Sequence, residues 1–217
     1  MPLNINGTTG ISGVDGSVSA PALAGTDSNT GITFPAADTI KFATGGVERM
    51  AITNSGVSGI TAGITMVDQW RITDHITLTT SKTVISSNWE RNDSNGYASI
   101  GTGMTESSGV FTFPTTGIYL VKMFVTTLGE TGSTAGIHAQ IQGQKAGGSF
   151  ADKAQASESA YTTSAYGSIA IEMVWDCEST SGDKIQMTSF ANNANRKILG
   201  ASTIQRTGFT FIRLGDT

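Results

Sequence analysis

Few residues of this chain have the chemistry that catalysis or metal binding requires. His75 and His138 are its only histidines, and Cys177 is its only cysteine. No Gly-x-Ser-x-Gly elbow, phosphate-binding loop or histidine-rich metal motif occurs. A single cysteine excludes an intrachain disulfide and a cysteine metal site, so Cys177 is expected to be a small buried hydrophobe. The sequence thus predicts no catalytic residue, no cofactor and no metal site.

Carboxylates are the remaining catalytic candidates, because a glycosidase needs two of them about 5–10 Å apart in a groove. The acidic residues are spread over many segments, and the sequence does not pair them. A solvated surface position is expected for each, and polysaccharide hydrolysis is kept only as a remote alternative. These residues are Glu90, Asp93, Glu106, Glu130, Asp152, Glu158, Glu172, Asp176, Glu178 and Asp183.

Two polar loops carry residues suited to recognition. One holds two tyrosines among Ser, Thr and Ala, and the other reads Asn-Asn-Ala-Asn-Arg-Lys over residues 192–197. Tyrosine rings offer stacking faces, and Asn and Arg offer directional donors, which suits a sugar or a polar protein surface. A solvated hairpin tip, which Asn and Gly also favour, is the alternative interpretation. The candidate receptor contacts are Tyr161, Tyr166, Asn192, Asn193, Asn195, Arg196 and Lys197.

Composition indicates the scaffold that must hold these loops. Of 217 residues, 38% are hydrophobic, 14% are charged and 27 are Gly, and Thr and Ser are abundant. These residues favour strands and tight turns over helices. A net charge of −4 offers no basic surface for nucleic acid, and no apolar run approaches the ~18 residues of a membrane span. Residues 1–16 lack the basic and apolar regions of a secretory signal, so none is expected.

The sequence divides into two parts near residue 66. Residues 1–66 open with Gly at positions 7, 10, 13 and 16, a period of three that suits either a triple-helical stub or an extended flexible arm. Ile32–Phe34, Thr39–Ala43 and Val47–Thr53 then predict short strands separated by turns. Such short strands bury too little surface for independent stability. Copies of the same chain around one axis would complete them.

This first part resembles the N-terminal segments of bacteriophage tail-fibre proteins. The likeness lies in Thr-Asp-Ser-Asn-Thr-Gly-Ile-Thr-Phe-Pro at 26–35, Ala-Asp-Thr-Ile at 37–40 and Gly-Gly-Val-Glu-Arg-Met at 45–50. In that family the segment precedes a variable distal head and helps to fix the fibre to the particle. The resemblance therefore implies that residues 1–66 form a virion-attachment segment.

Residues 67–217 are predicted to form a closed antiparallel β-sandwich or barrel. Alternating or β-branched segments recur between turns, as in all-β domains. The nearest approach to a helical pattern, Phe150–Ser159, lacks an apolar stripe. The predicted strands are Ile76–Leu78, Val84–Ile85, Val110–Phe113, Ile118–Thr127, Ile137–Gln142, Ser168–Trp175, Asp183–Phe190 and Thr203–Leu214.

Three anchors in this second part resemble tumour-necrosis-factor-like jelly rolls, most closely the globular heads of the complement first-component family. They are Gly-Val-Phe-Thr-Phe-Pro-Thr-Thr-Gly-Ile-Tyr at 109–119, Gly-Asp at 182–183 and Thr-Gly-Phe-Thr-Phe-Ile at 207–212. Pro114 is expected to end a strand, and Gly117 to permit a tight corner. Phe111, Tyr119, Phe209 and Phe211 are expected to pack in the core between two sheets.

The resemblance implies a homotrimer in which one edge of each jelly roll packs against its neighbour. Some relatives of such heads bind calcium through loop carboxylates at the top of the trimer. By that likeness Asp152, Glu158 or Glu178 would supply ligands, although no Asp-x-Asp-x-Asp loop is present.

The position of each loop follows from strand order, because loops of an antiparallel jelly roll alternate between its two ends. The last strand is expected to return to the end where the head begins, here called the proximal end. Counting back from it predicts loops 129–135, 158–167 and 191–201 at the distal end, and loop 177–182 at the proximal end.

These patterns predict an all-β homotrimer with a short N-terminal β-strand segment and an antiparallel jelly-roll head. The predicted function is a bacteriophage tail fibre or receptor-binding protein on the virion tail. Residues 1–66 would dock on other tail proteins, and the head would contact a host-cell glycan or protein. Neither catalysis, nucleic-acid binding nor membrane insertion is expected. A capsid decoration or baseplate protein without a receptor role is the main alternative.

Overall fold

The computed structural model describes residues 4–6, 10–12, 15–59, 63–94, 96–129, 135–160, 165–193 and 196–217. The chain divides into two compact units, Met1–Ala62, called the leading unit, and Gly63–Thr217, called the head. Within the described ranges every element is a β-strand, and the strands pair antiparallel. The predicted all-β, antiparallel fold class is therefore confirmed. No helix in these ranges has the length and apolarity of a membrane span.

The leading unit contains short hairpins followed by one larger sheet. Its strands are β1 (Asn4–Asn6), β2 (Gly10–Ser12), β3 (Gly16–Ser17), β4 (Ala20–Pro21), β5 (Leu23–Ala24), β6 (Gly31–Ala36), β7 (Thr39–Thr44), β8 (Val47–Thr53) and β9 (Gly56–Ser58). β5 to β9 lie side by side in chain order. β6, β7 and β8 coincide with the three strands predicted in this part, since their apolar residues alternate at the strand period of two.

The head contains the longest of the described strands. They are β10 (Met66–Ile72), β11 (Ile76–Leu78), β12 (Thr83–Val84), β13 (Trp89–Arg91), β14 (Thr105–Ser107), β15 (Val110–Thr112), β16 (Gly117–Leu128), β17 (Ala135–Gln144), β18 (Ala151–Ala160), β19 (Tyr166–Cys177), β20 (Lys184–Ala191), β21 (Arg196–Ile198) and β22 (Thr207–Gly215).

Two stacked sheets form the head. In the larger sheet, β16 pairs with β19 along one edge and with β22 and β21 along the other, and β22 continues to β10 and β13. The smaller sheet has the order β14–β15–β20–β17–β18, with β12 beside β20. Alternate side chains of both sheets point inward and form one core. This is the jelly-roll arrangement that the sequence anchors predict.

Aromatic side chains from both sheets occupy the centre of the core. The ring centroid of Phe111, on the smaller sheet, lies 5.5 Å from that of Trp70 and 5.0 Å from that of Trp89. It also lies 5.2 Å from Phe209 and 5.4 Å from Phe211, both on β22. The four aromatic residues that the sequence assigns to the core, Phe111, Tyr119, Phe209 and Phe211, are completely buried.

Gly117 allows the chain to turn tightly into β16. Its φ is 144°, a conformation that L side chains rarely adopt, and a Cβ there would lie 2.5 Å from the Gly215 oxygen. The Tyr119 hydroxyl then donates to the Thr115 carbonyl at 2.9 Å, which fixes the corner from inside. Gly117 therefore has the backbone conformation, favoured by glycine, that the predicted tight corner requires.

Candidate functional site

The strand register defines the two ends of the head. Met66, the first residue of β10, pairs with Arg213, so the head's chain begins at the proximal end. At the opposite, distal end, Leu128 pairs with Tyr166. Because neighbouring strands are antiparallel, the strand ends that flank loops 129–135, 158–167 and 191–201 lie distally, and those that flank loop 177–182 lie proximally. The alternation predicted from strand order is confirmed.

Most of the described candidate receptor contacts are accessible at the distal end. Tyr166 is 69% exposed at the start of β19. Asn192 and Asn193 are exposed after β20, and Lys197 is half-buried on β21. The remaining candidates Tyr161 and Asn195 lie outside the described residues.

Arg196 is an interior residue, which corrects the receptor contact predicted for it. Its side chain is only 1% exposed, and it shares the inward face of β21 with the fully buried Ile198. Successive residues of a strand point to opposite faces, so Lys197 between them is the residue directed away from the core. Arg196 therefore cannot contact a receptor, and its charge acts inside the head.

Glu158 lies near Arg196 at the distal junction of the two sheets. Thr127 Oγ1 donates to its carboxylate, and a Cβ at Gly167 would overlap the same carboxylate. Burial raises the pKa of Glu158, while the Ser168 backbone N–H and the charge of Arg196 act in the opposite direction. These contacts direct Glu158 inward, so it is not the calcium-binding loop residue that the resemblance implied.

The other two candidate calcium ligands are also engaged. Asp152 accepts hydrogen bonds from Gln142 Nε2 at 2.7 Å and Lys82 Nζ at 2.9 Å, and both bonds lower its pKa. Glu178 pairs with Lys145 at 3.0 Å. In the described part of the chain, no three Asp, Glu, His or Cys side chains converge as they would around a metal ion.

Both histidines make structural contacts. The His138 ring stacks on Phe190 at a centroid distance of 4.4 Å, and its Nε2 lies 3.0 Å from Asn192 Oδ1. His75 Nδ1 accepts a hydrogen bond from the Gly200 backbone at 3.2 Å. His138 thus helps to orient one of the exposed distal residues, Asn192.

The outer face of the smaller sheet is polar and bonded to itself. Gln186 Nε2 donates to Gln142 Oε1 at 2.7 Å, and Thr188 Oγ1 donates to Gln140 Oε1 at 2.8 Å. These four side chains alternate with core residues along their strands, so they point away from the core. They are nevertheless buried. Their hydrogen-bonding groups are thereby occupied within the chain.

The outer face of the larger sheet carries an exposed apolar patch. Leu120 pairs with Val174 and Ile212 on this face, and Val174 is 63% exposed. Phe124, 41% exposed, borders a groove of about 810 Å³. The charged pair Lys122–Glu172, at 3.5 Å, lies across the same strands. Exposed apolar patches of this kind mark interaction surfaces, and this one was not among the predicted sites.

Comparison with family models and with curated proteins gives no match to this sequence. Comparison with solved structures finds proteins of similar fold. Murine APRIL at pH 5.0 is 19% identical, covers 69% of this chain and 98% of its own, and superposes with a TM-score of 0.51. Eiger TNF from S. frugiperda is 12% identical, covers 70% of this chain and 93% of its own, with a TM-score of 0.53. The head is a jelly roll of the tumour-necrosis-factor type.

Within this jelly roll, the Gly-Asp anchor closes the proximal end. Asp183 is completely buried and accepts hydrogen bonds from the backbone N–H groups of Ala146 at 2.7 Å, Glu178 at 2.8 Å and Ser179 at 3.3 Å. Lys145 Nζ lies 3.1 Å from the same carboxylate. Burial alone raises the pKa of Asp183, but these donors outweigh it and hold the pKa below its usual value. The anchor is structural and ties two proximal loops together.

Proposed function

We propose that this protein is a homotrimeric bacteriophage tail fibre or receptor-binding protein that binds the host-cell surface and catalyses no reaction. The leading unit docks on the virion tail, as its resemblance to tail-fibre segments implies, and the head contacts the host cell. The observation that carries the proposal is the exposure of Tyr166, Asn192 and Asn193 at the distal end of the head. Loops on a rigid β-scaffold are frequent sites of recognition.

A host glycan or a polar protein surface suits the chemistry of the distal end. Tyr166 presents most of its ring to solvent, and the Asn192 and Asn193 side chains are amides with both donor and acceptor groups. Such residues bind sugars by stacking and by directional hydrogen bonds. Several copies on one particle convert a weak single site into avidity.

The trimer forms through the outer face of the larger sheet. Its exposed Phe124 and Val174 lose contact with water when an edge of a neighbouring copy fills the groove. Lys122 and Glu172 pair within the face, so like charges do not oppose the approach of a second copy. Among the described residues, the outer face of the opposite sheet is more polar, because Gln186 bonds to Gln142 and Thr188 bonds to Gln140 on it.

Light scattering of the full chain tests this assembly. The wild type should have the mass of three chains, and Phe124→Asp should shift that mass toward one chain, because an unpaired carboxylate would be buried in the contact. Val84→Asp is the matched control, since Val84 is 39% exposed against 41% for Phe124 but lies on the smaller sheet. A single-chain mass for the wild type, or equal effects of the two variants, would contradict the interface.

Binding of the labelled full chain to a panel of bacterial cells tests the receptor role. Tyr166→Ala should weaken binding to a recognised cell about tenfold, the effect of losing one interface anchor. Ser181→Ala, an exposed change at the proximal end, should leave binding unaltered. A chain that binds no cell and is instead found covered by other virion proteins supports a capsid or baseplate role. Sugar release from host polysaccharide would contradict the absence of catalysis.

A further inference from the structure

The sheet formed by β5 to β9 in the leading unit has one apolar face. Ile32 pairs with Phe42, and Phe42 with Met50, while Ile40 pairs with Ile52. Paired residues lie on the same face of a sheet, and so do residues two positions apart on one strand. The side chains of this face are Leu23, Ile32, Phe34, Ile40, Phe42, Met50, Ile52 and Val57.

The opposite face of the same sheet is polar or made of small residues. Lys41 and Glu48 form an ion pair on it at 2.7 Å. Among the described residues of the leading unit, the buried side chains are Thr33, Ala43 and Ala51. The large apolar side chains of the β5–β9 sheet are therefore gathered on the face that remains partly open to solvent.

In the described part of the chain, the apolar face of this sheet is only partly covered. An antiparallel sheet buries its apolar face against another layer, and isolated short strands are marginally stable. Here Phe34, Ile40 and Ile52 are 38%, 37% and 38% exposed, and Val57 is 59% exposed. A layer packed on this face would remove these side chains from water and would stabilise the sheet.

We propose that the apolar face of the β5–β9 sheet packs against the same sheet of other copies of this chain, inside the proposed trimer, on which this inference rests. Another copy is the partner that is synthesised together with the chain and in equal amount. The face also supplies complementary features: a groove of about 450 Å³ bordered by Phe34, Ile40 and Ile52, and the protruding Val57 and Leu23 at its edges. Docking on the virion then uses the polar face and the turns.

Two neighbouring residues of β9 provide a matched test in the full chain. Val57 and Ser58 are both exposed, but they lie on opposite faces of the sheet. Val57→Asp should accelerate hydrogen–deuterium exchange of amides 31–58 about tenfold or more, because a buried unpaired carboxylate costs at least ~1.4 kcal/mol. Ser58→Asp should leave that exchange as in the wild type. Ile52→Asp should repeat the effect of Val57→Asp from a second strand.

Exchange in β16 and β22 of the head serves as the internal reference and should be unchanged in Val57→Asp, Ser58→Asp and Ile52→Asp. Equal exchange for Val57→Asp and Ser58→Asp would overturn the inference. A second outcome would also overturn it: Phe124→Asp is a single chain, yet its amides 31–58 exchange as slowly as in the wild type. The apolar face would then be covered by its own chain, while the proposed trimer interface of the head would stand. A single-chain mass for the wild type would overturn the trimer itself.

Discussion

Phe111→Ala should lower the free energy of unfolding of the head by about 3–5 kcal/mol, the usual cost of truncating a buried phenylalanine. Phe111 is completely buried and contacts the rings of Trp70, Trp89, Phe209 and Phe211. It comes from the smaller sheet, whereas its partners belong to the larger one, so the truncation leaves a cavity between the sheets. Chemical denaturation followed by tryptophan fluorescence measures the change, since both partner indoles report on the cavity.

Graded and matched variants separate this packing effect from a general sensitivity to substitution. Phe111→Leu fills part of the cavity and should cost less than Phe111→Ala. Val84→Ala removes methyl groups from a side chain that is 39% exposed and should change stability by less than about 0.5 kcal/mol. All measurements use one protein concentration, because assembly contributes to apparent stability. A loss below about 1 kcal/mol for Phe111→Ala would show that the core does not depend on this ring.

The sequence predicted those strands whose inward face is built from large apolar residues. β16 and β19 carry Ile, Val, Met and aromatic residues at alternate positions, and both were predicted within two residues of their ends. β18 was missed because its sequence, Ala-Asp-Lys-Ala-Gln-Ala-Ser-Glu-Ser-Ala, packs only alanines against the core. It is a strand because it pairs along β17, a long-range contact that no local pattern encodes.

β10 was missed for a different reason. Asp68 is completely buried there, so a charged residue occupies a position where the strand pattern calls for an apolar one. Its carboxylate accepts hydrogen bonds from Trp70 Nε1 at 2.8 Å, Arg91 Nε at 3.0 Å and the Met104 backbone at 2.7 Å. These partners come from three segments, and sequence alone does not bring them together.

The candidate site was predicted in part. Strand counting placed the loops at the correct ends because antiparallel order fixes the alternation. Arg196 was assigned to the surface by residue type, although its spacing of two from Ile198 indicated the inward face. The apolar patch on the outer face of the larger sheet also had a signal, since Leu120 and Phe124 add large apolar residues to the outer face of β16. A strand with two apolar faces indicates burial on both sides, and in one chain only the inner side is covered.

Asp183→Asn should lower the free energy of unfolding of the head by roughly 3 kcal/mol at neutral pH. The substitution keeps the shape of the side chain but removes a buried charge that accepts three backbone N–H groups and pairs with Lys145. It also turns an amide N–H₂ toward those donors. Asp176→Asn is the control, because Asp176 is an exposed neighbour on β19, and it should cost less than about 0.5 kcal/mol.

The effect of Asp183 should depend on pH with a defined sign. Its pKa is lower in the folded chain than its ordinary value, so the ionised carboxylate adds stability above the unfolded pKa of about 3.9. That stability is lost as pH falls below this value toward the folded pKa, because the group must then be protonated. The difference between the wild type and Asp183→Asn should therefore be full above about pH 5 and shrink on acidification, since asparagine does not titrate. A difference that stays constant from pH 7 to pH 3 would show that shape, and not the charge of Asp183, holds the proximal loops together.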